Sequence, residues 1–177
     1  MSKVLYVVVC AAGPAVEAGR LVVMAQERGW TVQVVATPSA LGFTDVAELE
    51  RLTGRPVRSQ YRRPHEPKPA RADAIIVAPA TYNTINKFAQ GITDTYALGV
   101  LAEAPGLGIP VVVLPFVNSA LASRAPFVRS VAGLRDEGVR VLLGPGEFEP
   151  PSAGADRIDD FPWERALDAL AEMASPG

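Results

Sequence analysis

The segment most indicative of the fold is DAIIVAPATYNTINK, residues 73–87. An apolar run over residues 74–78 ends at Pro79, small and polar side chains follow, and a helix is predicted over residues 84–90. A buried strand that leads directly into a helix is the repeating unit of parallel α/β sheets. Ligands bind at the carboxyl ends of strands in such open sheets, so the segment also predicts the position of a ligand site.

The remaining pattern repeats this alternation. Strands are predicted over the apolar, β-branched residues 4–9, 31–36, 109–114 and 139–143, with a weaker one over residues 57–61. Helices are predicted over residues 14–28, 45–52, 94–104 and 163–174. Strands buried on both faces that alternate with helices indicate an α/β protein. The predicted fold is a Rossmann-like three-layer α/β/α arrangement with a mostly parallel sheet.

Several local features can be assigned from the sequence. The first helix is predicted to turn Val16, Leu21, Val22 and Met24 inward. Asp45 is expected to cap the second helix, and Asn118 to open a long helical region with a joint at Pro126. Residues 144–162 are rich in Gly, Pro and acids and predict a mobile surface loop before the terminal helix. No long linker interrupts the chain, so residues 1–177 are predicted to form one domain.

Composition limits the classes of partner. The chain has 177 residues, of which 49% are hydrophobic and 20% charged, as in globular proteins. The net charge of -2 gives no reason to expect nucleic acid or an acidic membrane as a partner. The apolar runs are too short to span a bilayer, and the N-terminus does not resemble a secretory signal, so a cytoplasmic protein is expected. Cys10 is predicted to fill the core, and the absence of Cys/His pairs in a chain with one cysteine and one histidine argues against a zinc site, so no metal is expected.

Three predicted strand ends pass into loops of small or hydroxyl-bearing residues: 10–13, 37–40 and 79–84. In a parallel sheet these loops meet at one edge, where N–H groups at helix starts can bind phosphate. Ser39, Thr81 and Thr84 add hydroxyl donors. The pattern favours a phosphate-bearing cofactor, although ordinary turn and cap residues would look the same. The usual dinucleotide and nucleoside-triphosphate glycine motifs are absent from the sequence.

Four motifs, in order, resemble the flavin-containing cysteine decarboxylases, which include phosphopantothenoylcysteine decarboxylase and the peptidyl-cysteine decarboxylases of lantibiotic biosynthesis. TPSALGF (37–43) and LTGRPV (52–57) are similar to the family's second-strand loop and following helix. His65 lies eight residues before Asp73, as the family's catalytic histidine does before its acidic residue. PATYNTINK (79–87), with Gly91 and Asp94, resembles the family's Pro-Ala-Ser-Ala-Asn-Thr block. PFVN (115–118) resembles its Pro-x-Met-Asn block.

The resemblance implies an FMN-dependent oxidative decarboxylase or oxidoreductase that acts on a thiol-bearing carboxylate, either a small molecule or a peptide. It also implies a homo-oligomer built from trimers, with FMN shared between chains near Asn83. His65 would be the catalytic histidine, and Asn118 would hold the substrate carboxylate. The implied cofactor-binding residues are Gly13, Thr37, Ser39, Phe43, Ala80, Thr81, Asn83, Thr84, Pro115, Phe116 and Val117.

Some residues depart from the family pattern. The first loop reads Ala-Ala-Gly-Pro where the family often has Gly-Ser-Ile-Ala, and Val117 and Tyr82 replace a methionine and an alanine. Residues 144–162 contain no cysteine to complete reduction, which argues against the coenzyme A pathway enzyme. Flavin prenyltransferases share the fold but lack the histidine and carry a basic segment absent here.

Alternative interpretations follow from these departures. The chain could be a non-catalytic flavin-binding regulatory or assembly protein, or a binding protein that has lost the flavin. The alternative for His65 is a surface histidine among charged neighbours, although its spacing to Asp73 favours the catalytic role. Asn118 could be a helix cap, a role that is compatible with ligand binding.

Overall fold

The computed structural model describes residues 1–155 and 157–175. Its strands are β1 (Val4–Val9), β2 (Thr31–Ala36), β3 (Ala74–Ala80), β4 (Val111–Pro115) and β5 (Arg140–Val141). They form one sheet in the order β2-β1-β3-β4-β5, and every neighbouring pair is parallel. The predicted α/β class and parallel sheet are confirmed.

Seven α-helices in the described residues cover the sheet. They are α1 (Ala18–Glu27), α2 (Val46–Thr53), α3 (Tyr82–Gln90), α4 (Tyr96–Glu103), α5 (Ser119–Ala122), α6 (Ala125–Asp136) and α7 (Trp163–Ala174). Their contacts divide them into two groups. In one group α1 packs against α2 and α7, and in the other α3 packs against α4 and α6. The result is the predicted three-layer Rossmann-like arrangement. No helix in the described part of the chain is long and apolar enough to cross a membrane.

The core lies along the central strands. All seven residues of β3 are buried, as are all five of β4 and all but the first residue of β1. Burial on both faces explains why these segments read as continuous apolar runs instead of alternating patterns. Cys10 follows β1 and is fully buried, which confirms its predicted place in the core.

Side-chain caps fix where several helices begin. Asp45 caps α2 as predicted, because its Oδ1 accepts a hydrogen bond from the Glu48 N–H at 3.0 Å. Thr81 and Thr95 cap α3 and α4 in the same way. At its other end α3 stops at Gly91, whose φ of 73° suits glycine.

Four local predictions need correction. Val16 is 62% exposed, because residues 13–17 form a 3-10 turn and the α-helix begins only at Ala18. Residues 57–61 form no strand; a single bridge joins Arg58 to Val35. The last strand is shorter than predicted and covers Arg140–Val141. The helical region after Asn118 is broken between Ala122 and Ala125, just before the expected joint at Pro126.

Candidate functional site

Four strand ends are tied together at the carboxyl edge of the sheet. The Thr37 N–H donates to the Val9 carbonyl at 3.0 Å, and the Cys10 N–H donates to the Pro79 carbonyl at 3.1 Å. The Phe116 N–H donates to the Ala80 carbonyl at 2.9 Å. These bonds bring the loops after β1, β2, β3 and β4 to one edge. The chain passes from β1 outward to β2 and then returns to β3 on the other side, which opens a crevice between the loops after β1 and β3.

A cavity of about 510 Å³ lies in this crevice. Its volume is within the usual range of small-molecule sites, about 300–1,000 Å³. Seven of the predicted site residues line it: Gly13, Phe43, Thr81, Asn83, Phe116, Val117 and Asn118. The other lining residues are Ala11, Ala12, Tyr82, Leu121, Pro151, Gly154 and Ala155.

The remaining predicted residues do not line the cavity. Ala80, Thr84 and Pro115 are buried, and Ser39 is exposed on its turn. Thr37 is buried and uses its hydroxyl to accept a hydrogen bond from the Ala40 N–H at 3.3 Å.

His65 is exposed and lies away from the cavity lining. It belongs to a turn in which the Glu66 N–H donates to the Arg63 carbonyl at 3.0 Å. The Arg63 N–H in turn donates to the Glu66 carboxylate at 3.1 Å. Within one chain, the structure therefore does not bring the predicted catalytic histidine together with Asn118.

Hydroxyl groups organise the start of α3. The Thr81 hydroxyl accepts from the Thr84 N–H at 3.2 Å, and the two threonine hydroxyls are 3.1 Å apart. Thr84 lies beside the Cys10 thiol, whose pKa is raised by burial although the threonine contacts lower it in part. The thiol is therefore protonated near neutral pH and serves as core packing, not as a nucleophile.

Asn118 has the predicted capping role. Its Oδ1 accepts a hydrogen bond from the Leu121 N–H at 2.9 Å at the start of α5. Its side-chain amide N–H donors take part in no hydrogen bond among the described residues, and Asn118 lines the cavity. The cap leaves these donors available to a ligand.

The loop over residues 144–162 closes one side of the cavity. The Ser119 N–H donates to the Pro151 carbonyl at 2.8 Å, which attaches the loop next to Asn118. Ile158 of the same loop packs over Gly13, which also lines the cavity. The sequence predicted a surface loop here but did not identify Pro151, Gly154 and Ala155 as lining residues, because Gly- and Pro-rich composition does not specify the path of a loop.

The lining contains no Asp, Glu, Lys, Arg or His among the described residues. Its polar groups are neutral: the Thr81 hydroxyl, two asparagine amides and the Tyr82 phenol. Small side chains at residues 11–13 allow a ligand close to the backbone, and three aromatic rings border the space. Unpaired N–H groups at the first turn of α3 add donors. These features suit a flat aromatic cofactor whose phosphate is bound by neutral donors.

Comparison with known proteins supports this interpretation. Residues 2–160 match the family model described as Flavoprotein. The coenzyme A biosynthesis bifunctional protein CoaBC of Mycolicibacterium smegmatis is 32% identical over 154 residues, which are 83% of this chain. The alignment spans 36% of that protein, so this chain corresponds to only part of its length.

Solved structures share the fold. The FMN-dependent cysteine decarboxylase SpaF is 25% identical, with a TM-score of 0.70 over 97% of this chain and 98% of SpaF. HAL3 from Cryptococcus neoformans superposes with a TM-score of 0.77 over 98% of this chain and 96% of its own. HAL3 is only 20% identical to this chain, so its similarity shows a shared fold and nothing more.

Proposed function

Because this chain belongs to the Flavoprotein family, we propose that it binds FMN at the carboxyl edge of its sheet. With FMN it would oxidatively decarboxylate a small molecule or peptide that carries a thiol and a carboxylate. The observation that carries the proposal is the cavity between the loops after β1 and β3, with Thr81, Asn83 and Asn118 in its lining. The similarity to SpaF, an FMN-dependent cysteine decarboxylase, supports the reaction class. We further propose that residues 1–177 form one flavoprotein domain of the cytoplasm.

The cofactor would be held by neutral groups. The turn Gly13–Glu17 offers N–H groups for the phosphate, with Thr37 and Ser39 on the neighbouring loop. The flavin ring would lie against residues 80–84 and 115–117, where Phe43 and Phe116 border the cavity. Fixed N–H and hydroxyl dipoles can bind a phosphate without a nearby cation, as helix N-termini do.

Bound FMN would supply a two-electron acceptor for the hydride on the carbon that bears the thiol, so that this carbon would be oxidised to a thioaldehyde. The carboxylate β to this thiocarbonyl then leaves as CO2, and its bonding electron pair moves to the sulfur to give an enethiolate. Asn118 would orient the carboxylate through its free amide donors while its Oδ1 remains fixed by the α5 cap. His65 would accept the thiol proton as the general base.

This role for His65 requires a second chain. His65 is exposed and does not line the cavity of its own chain, whose described lining offers no other imidazole or carboxylate. We propose a homo-oligomer built from trimers, in which the segment carrying His65 reaches the cavity of a neighbouring copy. Asn83, which is exposed at the cavity rim, would then lie near the subunit interface.

A second candidate is a non-catalytic flavin-binding protein with a regulatory or assembly role. The observation that favours it is the absence of charged acid–base groups from the described cavity lining. The two candidates share FMN binding and differ in turnover.

One experiment separates the two candidates. The protein purified with FMN is incubated with peptides ending in cysteine and with small thiol carboxylates, and products are analysed by mass spectrometry. A decarboxylase gives a product that has lost CO2 and two hydrogens, with flavin bleaching under anaerobic conditions. His65→Asn should retain FMN and lose turnover. Tight FMN binding without turnover across the panel would favour the non-catalytic role.

A further inference from the structure

Tyr82 is the first residue of α3 and lines the cavity between Thr81 and Asn83. Its ring stacks on Phe127 of α6, with 5.5 Å between ring centroids and 19° between the planes. Phe127 is fully buried, whereas Tyr82 is only half-buried. One face of the Tyr82 ring is thus covered by the core, and the half-buried residue lies in the lining of the cavity.

The position of the ring is fixed by the contact between the two helices that carry the stacked pair. One turn along α3 from Tyr82, Asn86 accepts a hydrogen bond from the Ser130 hydroxyl of α6 at 2.7 Å. Tyr82 and Asn86 therefore face α6 together. A ring held on one face by a buried phenylalanine loses little further freedom when a ligand packs on the other side.

Two other aromatic side chains border the same cavity, Phe43 after β2 and Phe116 after β4. Tyr82 comes from the loop after β3, so the three aromatic residues approach the cavity from three different strand ends. Small residues at positions 11–13 form another part of the wall. A space bordered by aromatic rings and small side chains suits a planar aromatic ligand.

We propose that Tyr82 is a cofactor-contacting residue that forms an aromatic platform for the flavin ring, supported from behind by Phe127. This inference rests on the proposed binding of FMN. Tyr82 is bulkier than the alanine found at this position in the family pattern. Its side chain would form part of the cavity wall and would not block the cavity. An open cavity of about 510 Å³ with Tyr82 in place is consistent with this role.

The platform has a spectroscopic consequence. A tyrosine ring in contact with a flavin quenches flavin fluorescence by donating an electron to the excited ring. Phenylalanine is harder to oxidise and quenches far less, although it stacks similarly. Leucine removes both the stacking and the electron donor. The three side chains at residue 82 therefore separate stacking from quenching.

The test compares the parent with Tyr82→Phe and Tyr82→Leu by titrating each apoprotein with FMN. We expect Tyr82→Phe to bind FMN within about twofold of the parent and to emit more strongly when bound. Tyr82→Leu should also emit more strongly and should raise the Kd about three- to tenfold, the range expected for one aromatic contact. Tyr61→Leu is the matched control: Tyr61 also pairs with another ring, that of Tyr96, but neither residue lines this cavity.

Unchanged emission of bound FMN in both Tyr82 variants would overturn the platform, whatever happens to the Kd, because a distorted start of α3 could weaken binding without any ring contact. A parent that binds no FMN at any concentration tested would overturn the proposed function together with the platform. A parent that binds FMN while its variants match it in emission would overturn the platform alone. Thermal unfolding of each apoprotein verifies that the variants are folded.

Discussion

Ile158 packs directly over Gly13: a Cβ added at residue 13 would lie 2.8 Å from Ile158 Cδ1 and 3.1 Å from its Cγ1. Gly13 follows β1, whereas Ile158 belongs to the loop over residues 144–162. The glycine therefore permits the close approach of a distant segment to the first strand-end loop. Glycine suits residue 13 because a Cβ there would meet Ile158. Its backbone conformation does not call for glycine, since Gly13 is not among the glycines with positive φ.

We predict that Gly13→Ala displaces this loop from the site. The added methyl group would force the half-buried Ile158 side chain to move, and since that side chain lies on a surface loop the cost should be at most about 1 kcal/mol of folding stability, measured by urea unfolding. Hydrogen exchange in residues 144–162 should become faster. In an Ile158→Ala background the same change should cost less, which a double-mutant cycle measures.

Gly42→Ala is the matched control for this prediction, because no atom outside its neighbours lies within 4 Å of a Cβ at residue 42. If Gly13→Ala lowers the free energy of unfolding equally in the parent and in the Ile158→Ala background, the proposed contact is contradicted.

A second prediction concerns the start of α3. Thr81→Ala removes the hydroxyl that accepts from the Thr84 N–H, so unfolding should require about 1 kcal/mol less free energy. Thr81→Ser retains a capping hydroxyl and should lose much less. Denaturant unfolding of the apoprotein measures both values without involving FMN. Equal losses in the two variants would show that the hydroxyl does not stabilise the helix.

Asn118 allows capping to be separated from ligand binding. Asn118→Asp keeps an oxygen that can cap α5, but it replaces the amide donors with a negative charge. We expect stability close to that of the parent, unchanged FMN affinity, and at least a tenfold loss of kcat/KM for a thiol carboxylate through carboxylate repulsion. Asn118→Ser, which caps without the charge, should fall between the two. Full activity of the aspartate variant would exclude carboxylate binding by Asn118.

The stability of the protein should fall at alkaline pH because of Tyr6. Its hydroxyl donates to the Ala70 carbonyl at 2.6 Å, and burial, with a smaller contribution from Tyr96, raises its pKa from 10.0 to about 12. Between these values the unfolded chain has released a proton that the folded chain retains, so unfolding becomes easier as pH rises.

Tyr6→Phe removes this titration. It should cost about 1 kcal/mol near neutral pH, because the Ala70 carbonyl loses its donor. The difference from the parent should then shrink as pH rises from 10 towards 12. Urea unfolding at several pH values measures the difference, and a constant gap between parent and variant would contradict the raised pKa.

The sequence indicated the architecture well because its signals were local. The apolar run before Pro79 and the polar cap that follows correctly predicted β3 and α3. The terminal helix was predicted at its observed bounds, Trp163–Ala174. Val16 was placed wrongly because Pro14 suits a 3-10 turn as well as the first turn of an α-helix, and spacing alone does not distinguish them.

The site was predicted less completely because it depends on long-range contacts. Gly13 and Thr81 were predicted from strand-end loops and Asn118 from the resemblance of PFVN (115–118) to a family motif, and all three line the cavity. The approach of Ile158 to Gly13 joins segments far apart in sequence and has no local signal. His65 was assigned from its spacing to Asp73, and spacing along one chain carries no information about which subunit's cavity it would serve.

The most direct test of FMN binding at the carboxyl edge is the absorbance spectrum of the purified protein after incubation with FMN and removal of the unbound cofactor. We predict the two near-ultraviolet and blue bands of a bound oxidised flavin at about one FMN per chain. Thr81→Val combined with Asn83→Leu should greatly reduce their intensity, while the control Gly42→Ala should retain it. A colourless parent, or a double variant that retains the full flavin spectrum, would contradict the assignment of this cavity as the cofactor site.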